Sequence, residues 1–168
     1  SGPGAVTIAE YTEMAAGKTG GLLGAAAAAG VTLGGAPELG PHLQAMGRDL
    51  GIAFQIADDI LGIWGDPAVT GKPVHNDLRR DKKTLPVLAA LSTGTRAARD
   101  LAALLSSGIT TTPSAQHAAA LIEQTGARAE AQSLATHYVT SALTTLDKHL
   151  PAAADLRTLC TTLATRPR

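Results

Sequence analysis

Two adjacent carboxylates, Asp58 and Asp59, lie in the apolar sequence GIAFQIADDILGIW, and several lysines follow in the next segment of the chain. A pair of charges among apolar residues is costly unless a cation compensates for it. Mg²⁺ takes oxygen ligands, commonly one or two carboxylates together with phosphate oxygens and water. Lysines supply positive charge to phosphate oxygens. These residue types therefore predict a site for a divalent cation and a diphosphate.

Other polar residues extend this candidate site. Gln55 precedes Asp58 by three residues and Asp59 by four, so the three side chains are expected to share one patch of a helix. The polar segment from Asp66 to Lys82 is long for a loop without structure of its own, and loops of that kind are often functional. Its charged candidates for diphosphate binding are Lys72, Asp77 and Lys82.

The sequence AAGKTGGLL places Lys18 and Thr19 in an otherwise uncharged stretch rich in alanine and glycine. It lacks the glycine that a nucleotide-binding phosphate loop has five residues earlier, and its surroundings are helical, so that motif is excluded. A lone lysine in such a stretch usually extends into solvent. We predict instead that Lys18 faces the Asp58 carboxylate from a neighbouring helix.

Composition excludes several classes of protein. The formal net charge is zero and aromatic residues are 2% of the chain, which argues against nucleic-acid binding. No run of apolar residues is long enough to span a bilayer. The single cysteine, Cys160, excludes an internal disulfide and favours a reducing, cytoplasmic location. The five histidines have no metal-binding spacing, and only His75, within the lysine-rich segment, is a candidate for substrate contact.

Apolar residues recur at helical spacing throughout, which predicts an all-α domain of about seven helices over residues 1–168. The repeated glycines of the first helix suggest close packing against a neighbour or a ligand. Ser114 is predicted to cap the fifth helix, and Pro151 to begin the seventh. The predicted helices cover residues 7–30, 41–65, 84–92, 95–105, 114–126, 127–150 and 151–166.

Together, YTEMAAGKTGGLL, GIAFQIADDILGIWGDPAVTGKP, the following Asp77 and KKTLP resemble the trans-isoprenyl diphosphate synthase (polyprenyl synthetase) family. The resemblance implies a helical bundle of the isoprenoid synthase type around a deep cavity. It also implies Mg²⁺-dependent ionisation of an allylic diphosphate and condensation of the resulting cation with isopentenyl diphosphate. The expected product is a short- to medium-chain prenyl diphosphate.

The resemblance also assigns roles to individual residues. Asp58 and Asp59 would belong to the second aspartate-rich motif and hold Mg²⁺ directly or through water. Asp77 would orient the lysines of the loop. The remaining candidates would contact the allylic diphosphate or lie beside the developing cation and the leaving group: Lys18, Thr19, Gln55, Lys72 and Lys82.

The chain departs from the family pattern in two ways. The third aspartate of the second motif is replaced by Gly62, and Asp66 is a weak candidate to substitute for it. The chain also begins where the second half of the family begins, so we expect half of the full fold. That half should need a polypeptide that carries the first aspartate-rich motif, and it should form a homo- or hetero-oligomer. The alternatives are a terpene cyclase on the same fold and a non-catalytic partner subunit of a synthase.

Overall fold

A computed structural model describes residues 6–71 and 73–164 of the chain. Within these ranges every regular element is a helix and no strand occurs, which confirms the predicted all-α class. A search of the described residues finds no helix whose length and apolar character would allow it to cross a membrane.

The seven predicted helices are all present, although the first is interrupted. A π-helical turn, Ala16–Gly20, joins α1 to α2, and a short 3₁₀ turn, Pro37–Leu39, precedes α3. The segment after α3 also contains two single helical turns, α4 and α5, where the sequence predicted an irregular loop. The α-helices are α1 (Ile8–Ala15), α2 (Gly21–Leu33), α3 (Gly40–Trp64), α4 (Pro67–Thr70), α5 (Asn76–Arg79), α6 (Leu85–Ser92), α7 (Arg96–Ser107), α8 (Thr112–Gln124), α9 (Ala127–His149) and α10 (Ala154–Ala164).

Two helix starts differ from their predicted positions. Helix α8 is capped by Thr111, whose hydroxyl accepts from the Ser114 N–H while the Ser114 hydroxyl accepts from the Thr111 N–H. This capping box leaves Pro113 in the first turn, where its missing N–H costs nothing. The predicted cap at Ser114 is therefore wrong by three residues. Helix α10 begins at Ala154, because Pro151 lies in the turn that precedes it.

One compact unit of the chain consists chiefly of residues Asp58–Ser133. Its core combines the end of α3 with α5 to α8 and the start of α9. Alanines at helical spacing on α8 allow the neighbouring helices to approach closely, and larger apolar side chains fill the space between them. The buried residues include Ile63, Leu78, Val87, Leu101, Ala115, Ala118, Ile122 and Ala127.

The second compact unit consists of Ala9–Ala57 together with the chain from Leu134 onward. Leu43, Met46 and Leu50 of α3 share its core with residues of α9 and α10, including the buried Cys160. The predicted close packing of glycines is confirmed for Gly20 and Gly24, whereas an ideal Cβ on Gly17 would have nothing within 4 Å.

The glycine contact joins α3 to the π turn and α2. An ideal Cβ on Gly51 would lie 2.4 Å from the Cα of Gly20, and one on Gly47 would lie 2.5 Å from the Cα of Gly24. Because these are backbone contacts, no side chain could move aside to make room. The two glycine pairs therefore set the short distance between the helices.

Candidate functional site

The ammonium group of Lys82 is surrounded by three carboxylates. Its Nζ donates to Asp59 Oδ1 and to Asp77 Oδ2, both at 2.9 Å, and it lies 4.0 Å from Asp58 Oδ2. The two aspartates of α3, the aspartate of α5 and the lysine before α6 thus meet at one place. The structure thus brings together four of the residues that the sequence singled out, and all four belong to the first unit.

Asp59 is the buried member of the adjacent pair, with 1% of its side chain exposed. Its second oxygen, Oδ2, accepts from the Leu85 backbone N–H at 3.1 Å, at the first position of α6. The cap residue Thr84 makes no side-chain cap bond, and its buried hydroxyl has no partner among the described residues. Asp59 thus caps α6 from another helix, where its negative charge also complements the helix dipole.

Asp58 is the exposed member of the pair. Its side chain is 36% exposed and that of Lys82 is 39% exposed, so solvent reaches the cluster at these two residues. Consecutive residues of a helix point about 100° apart, which explains why one carboxylate is buried and the next is not.

The charges of the cluster suit a divalent cation. Three carboxylates surround one ammonium group, which leaves a formal excess of two negative charges. Asp58 is the more exposed of the two adjacent carboxylates and is therefore the one that such a cation can reach from solvent, and both oxygens of Asp59 accept hydrogen bonds. Within the described ranges, no group of three or more histidine, cysteine or acidic side chains is arranged to hold a metal. A site of this kind suits Mg²⁺ that takes its other ligands from phosphate and water.

The environment of Lys82 keeps its amine charged. Burial lowers the pKa of Lys82, but the hydrogen bonds and negative charges of Asp59 and Asp77 outweigh that effect, and the net result is a raised pKa. The ammonium form therefore dominates throughout the neutral range, as diphosphate binding requires.

Asp77 reaches the cluster by lying directly against helix α3. An ideal Cβ on Gly62 would lie 2.3 Å from Asp77 Oδ2 and 2.5 Å from its Cγ. The carboxylate of Asp77 thus occupies the space next to the position where the resembled motif has its third aspartate. Asp66, the other candidate for that role, instead accepts from the Ala68 N–H at 2.9 Å and caps α4.

His75 connects the segment between α4 and α5 to the end of α3 through hydrogen bonds. Its ring Nδ1 lies 2.6 Å from the Ile63 carbonyl oxygen, and its backbone N–H donates to the same oxygen at 3.2 Å. Burial lowers the pKa of His75, and nearby Arg79 lowers it further, against the raising effects of the Ile63 bond and Glu123. A neutral ring with its proton on Nδ1 donates to Ile63. The sequence singled out His75 as a candidate for substrate contact, but its contacts here are structural.

The remaining predicted residues belong to the second unit or fall outside the described residues. Lys18 and Thr19 lie in the π turn of the second unit, with Lys18 exposed, and Gln55 is a buried residue of α3 in that same unit. Gln55 precedes the carboxylates on one continuous helix, as predicted. Lys72 lies outside the described residues. The predicted contacts of these four residues with a substrate stay predictions.

Comparisons with known proteins agree with the sequence resemblance. The model of the family described as Polyprenyl synthetase matches residues 3–123. A geranylgeranyl diphosphate synthase of Mycobacterium tuberculosis is 45% identical over 143 residues, which cover 84% of this chain and 41% of that protein.

Solved structures match the same fold. The crystal structure of a polyprenyl synthetase from Streptomyces coelicolor superposes with a TM-score of 0.83 at 39% identity, over 95% of this chain and 49% of that one. A geranylgeranyl pyrophosphate synthase from Corynebacterium glutamicum, complexed with isoprenyl diphosphate and magnesium, gives a TM-score of 0.71 at 34% identity, over 79% of this chain and 39% of that one. The chain therefore spans about half the length, or less, of the relatives it matches.

Proposed function

Because this chain belongs to the polyprenyl synthetase family, we propose that it is the C-terminal part of a single all-α isoprenoid synthase domain. The complete domain would be a trans-prenyltransferase, which condenses an allylic diphosphate with isopentenyl diphosphate. The expected product is a short- to medium-chain prenyl diphosphate of the geranyl, farnesyl or geranylgeranyl type. The geranylgeranyl diphosphate synthase reported above falls within that range.

The arrangement of Lys82 and its three carboxylates is the observation that carries this proposal. A lysine held in place by Asp59 and Asp77 and open to solvent on the side of Asp58 can contact a diphosphate without first having to be ordered. Such preorganised positive charge stabilises the leaving diphosphate more in the transition state than water does.

We assign different roles to the two adjacent aspartates. Asp58 would hold Mg²⁺ directly, because it is the exposed carboxylate, and Asp59 would orient Lys82 and the start of α6. When bound, Mg²⁺ would neutralise charge on the diphosphate and so lower the barrier to its departure. The relative complexed with isoprenyl diphosphate and magnesium supports the choice of metal.

The other proposed contacts rest on the resemblance of the sequence to the family. Lys18 and Lys72 would bind the allylic diphosphate with Lys82. Thr19 and Gln55 would lie near the reacting carbon and the leaving group. Asp77 would act through Lys82, which it holds in place.

The complete site would need more than this chain. We propose a polypeptide or segment with the first aspartate-rich motif as a partner, in a homo- or hetero-oligomer, because carboxylates are needed on both sides of the diphosphate. A cytoplasmic location stays a prediction from the lone cysteine. The relatives reported above are named as synthases, so neither the cyclase nor the non-catalytic subunit gains support.

An assay of prenyl transfer tests the proposal. The 168-residue chain alone should form no product from Mg²⁺, isopentenyl diphosphate and dimethylallyl or geranyl diphosphate. Addition of a polypeptide that carries the first aspartate-rich motif should restore activity. Asp58→Ala should lower the restored turnover by about 10²-fold or more, the scale of one lost electrostatic contact. Asp100→Ala, at an exposed carboxylate of α7, is the matched control and should leave turnover unchanged.

Two results would refute this function. Robust product formation by the single chain, with its mass confirmed, would show that the chain does not need the first aspartate-rich motif from another polypeptide. Unchanged turnover of the restored complex with Asp58→Ala at saturating Mg²⁺ would instead indicate a regulatory subunit.

A further inference from the structure

Gly62 lies on α3 one helical turn after the two aspartates, at the place where the Asp77 carboxylate packs against the helix. A Cβ at this position would overlap Asp77 Oδ2 and Cγ, at 2.3 and 2.5 Å. Atoms that are not bonded to each other do not approach so closely, so the carboxylate can occupy this space only because position 62 has no side chain.

We propose that Gly62 is a positioning residue of the site, and that it admits the Asp77 carboxylate to the surface of α3, where it holds Lys82 in place. The acidic cluster is thereby completed by a side chain from α5 rather than by one from α3. The effect on prenyl transfer rests on the proposed function, whereas the effect on Lys82 does not.

The contacts predict how the site responds when position 62 gains a side chain. The backbone of α3 and that of α5 can stay in place, because the atoms that overlap the new Cβ are those at the end of the Asp77 side chain. The backbone at Asp77 is also held by its carbonyl oxygen, which accepts from the Lys82 N–H at 3.0 Å. The carboxylate must instead rotate away, and Lys82 then loses one of its two partners at 2.9 Å. Since alanine favours a helix over glycine by about 1 kcal/mol, helix α3 itself should not be weakened.

A carboxylate supplied from position 62 should replace the one from Asp77. The side chain introduced by Gly62→Asp would start within 2.3 Å of the present position of Asp77 Oδ2, which lies 2.9 Å from Lys82 Nζ. If Asp77→Gly vacates that space, the new carboxylate can reach the same amine. The single substitutions should therefore each disturb Lys82, and the double substitution Gly62→Asp/Asp77→Gly should restore its environment in part.

The test measures the reactivity of Lys82 in the 168-residue chain by amine acetylation and mass spectrometry, with thermal unfolding in parallel. Gly62→Ala should accelerate acetylation of Lys82 about tenfold, because its amine loses the hydrogen bond to the Asp77 carboxylate and becomes easier to reach. The unfolding temperature should fall by a few degrees at most, because the gain in helix propensity offsets part of that loss. Gly30→Ala is the matched control, since Gly30 is a helical glycine with nothing within 4 Å of its ideal Cβ, and it should leave Lys82 unchanged. Asp77→Asn, which keeps the shape of the side chain and removes its charge, should accelerate acetylation as Gly62→Ala does.

Two outcomes would overturn the positioning role. One is an unchanged acetylation rate of Lys82 in Gly62→Ala, when Asp77→Asn accelerates it. The other is an acetylation rate of Lys82 in the double variant Gly62→Asp/Asp77→Gly that is no closer to the wild-type rate than that of either single variant. Prenyl transfer by the restored complex is measured separately in the same variants. Loss of turnover that follows Lys82 reactivity would support the proposed role of Lys82 in diphosphate binding. Turnover indifferent to it would refute that role while leaving the positioning role of Gly62 intact, and absence of turnover in the restored wild type would refute the proposed function itself.

Discussion

Asp59→Ala should lower stability, whereas Asp58→Ala should lower activity with little effect on stability, although the two residues are adjacent. Asp59 is buried and accepts hydrogen bonds from the Lys82 ammonium group and the Leu85 N–H. Asp58 is partly exposed and lies 4.0 Å from the same ammonium group. The first substitution removes structural contacts, and the second removes a carboxylate that solvent and ligands can reach.

The expected loss of stability follows from these contacts. A hydrogen bond to a charged group contributes about 1.5–3 kcal/mol, and loss of a helix cap costs about 1 kcal/mol. Lys82 would keep Asp77 and its contact with solvent, which reduces the loss. We therefore expect Asp59→Ala to lower the free energy of unfolding by about 2–3 kcal/mol, or Tm by about 5–10 °C in a chain of this size. An exposed pair contributes at most about 1 kcal/mol, so Asp58→Ala should have little effect on Tm.

Thermal unfolding of the 168-residue chain, followed by circular dichroism, measures both variants against the wild type. In the restored prenyl transfer assay, Asp58→Ala should lose turnover while it keeps its Tm. Asp59→Asn is a useful third variant, because its amide keeps the shape of the carboxylate and still offers one acceptor oxygen, and it should fall between the wild type and Asp59→Ala. Equal losses of Tm in Asp58→Ala and Asp59→Ala would refute the assignment of separate roles.

Further predictions concern packing, pH and the segment after α3. Gly51→Ala should lower the free energy of unfolding by about 2 kcal/mol, although alanine has the better helix propensity, because the new Cβ meets the backbone of Gly20 at 2.4 Å. A Gly51→Ala variant that resists urea as well as Gly30→Ala does would contradict this. Because the pKa of His75 is lowered in the fold, its stabilising contribution is complete above about pH 6.5 and is lost as the pH falls below that value. Urea unfolding at pH 7.5 and 5.5 should therefore show a smaller pH effect in His75→Asn than in the wild type, and an equal effect would exclude this histidine as the cause. Pyrophosphate with Mg²⁺ should slow amide hydrogen exchange more in peptides that cover α4 than in peptides that cover α5, because the contact between Asp77 and Lys82 already holds α5 in place. Unchanged exchange in α4 would argue against closure of the segment after α3 over the ligand.

Most of the fold could be predicted because each long helix carries its own local signal. Leu43, Met46 and Leu50 recur at helical spacing and are buried together in one core. Pro86 occurs in the first turn of α6, as its missing N–H requires. The glycines of the first helix indicated close packing correctly for Gly20 and Gly24 but not for Gly17, because residue size permits a close contact without fixing where it occurs.

Features that depend on contacts between distant residues could not be predicted in this way. The sequence shows Gly62 as a missing aspartate, whereas the structure shows a position kept open for Asp77, fifteen residues later. The cap of α6 is another example, because it comes from Asp59 on α3 and not from the neighbouring Thr84. Local patterns predict helices and their residue faces, but they do not indicate which side chain of another element will fill a given space.

The adjacent carboxylates Asp58 and Asp59 have one property that local sequence predicts and another that depends on contacts with distant residues. Their chemistry was predictable, since two charges in an apolar helix need compensation. Their difference in burial is compatible with helix geometry, because residues about 100° apart can lie on either side of the boundary between the packed and the exposed face. Asp59 points inward and must be satisfied by protein groups, and Lys82 with the start of α6 provides them. Asp58 lies 4.0 Å from the same lysine, and both of these side chains are partly exposed to solvent. The buried aspartate therefore fixes the position of the lysine, and the exposed one lies on the side from which we propose that a ligand binds.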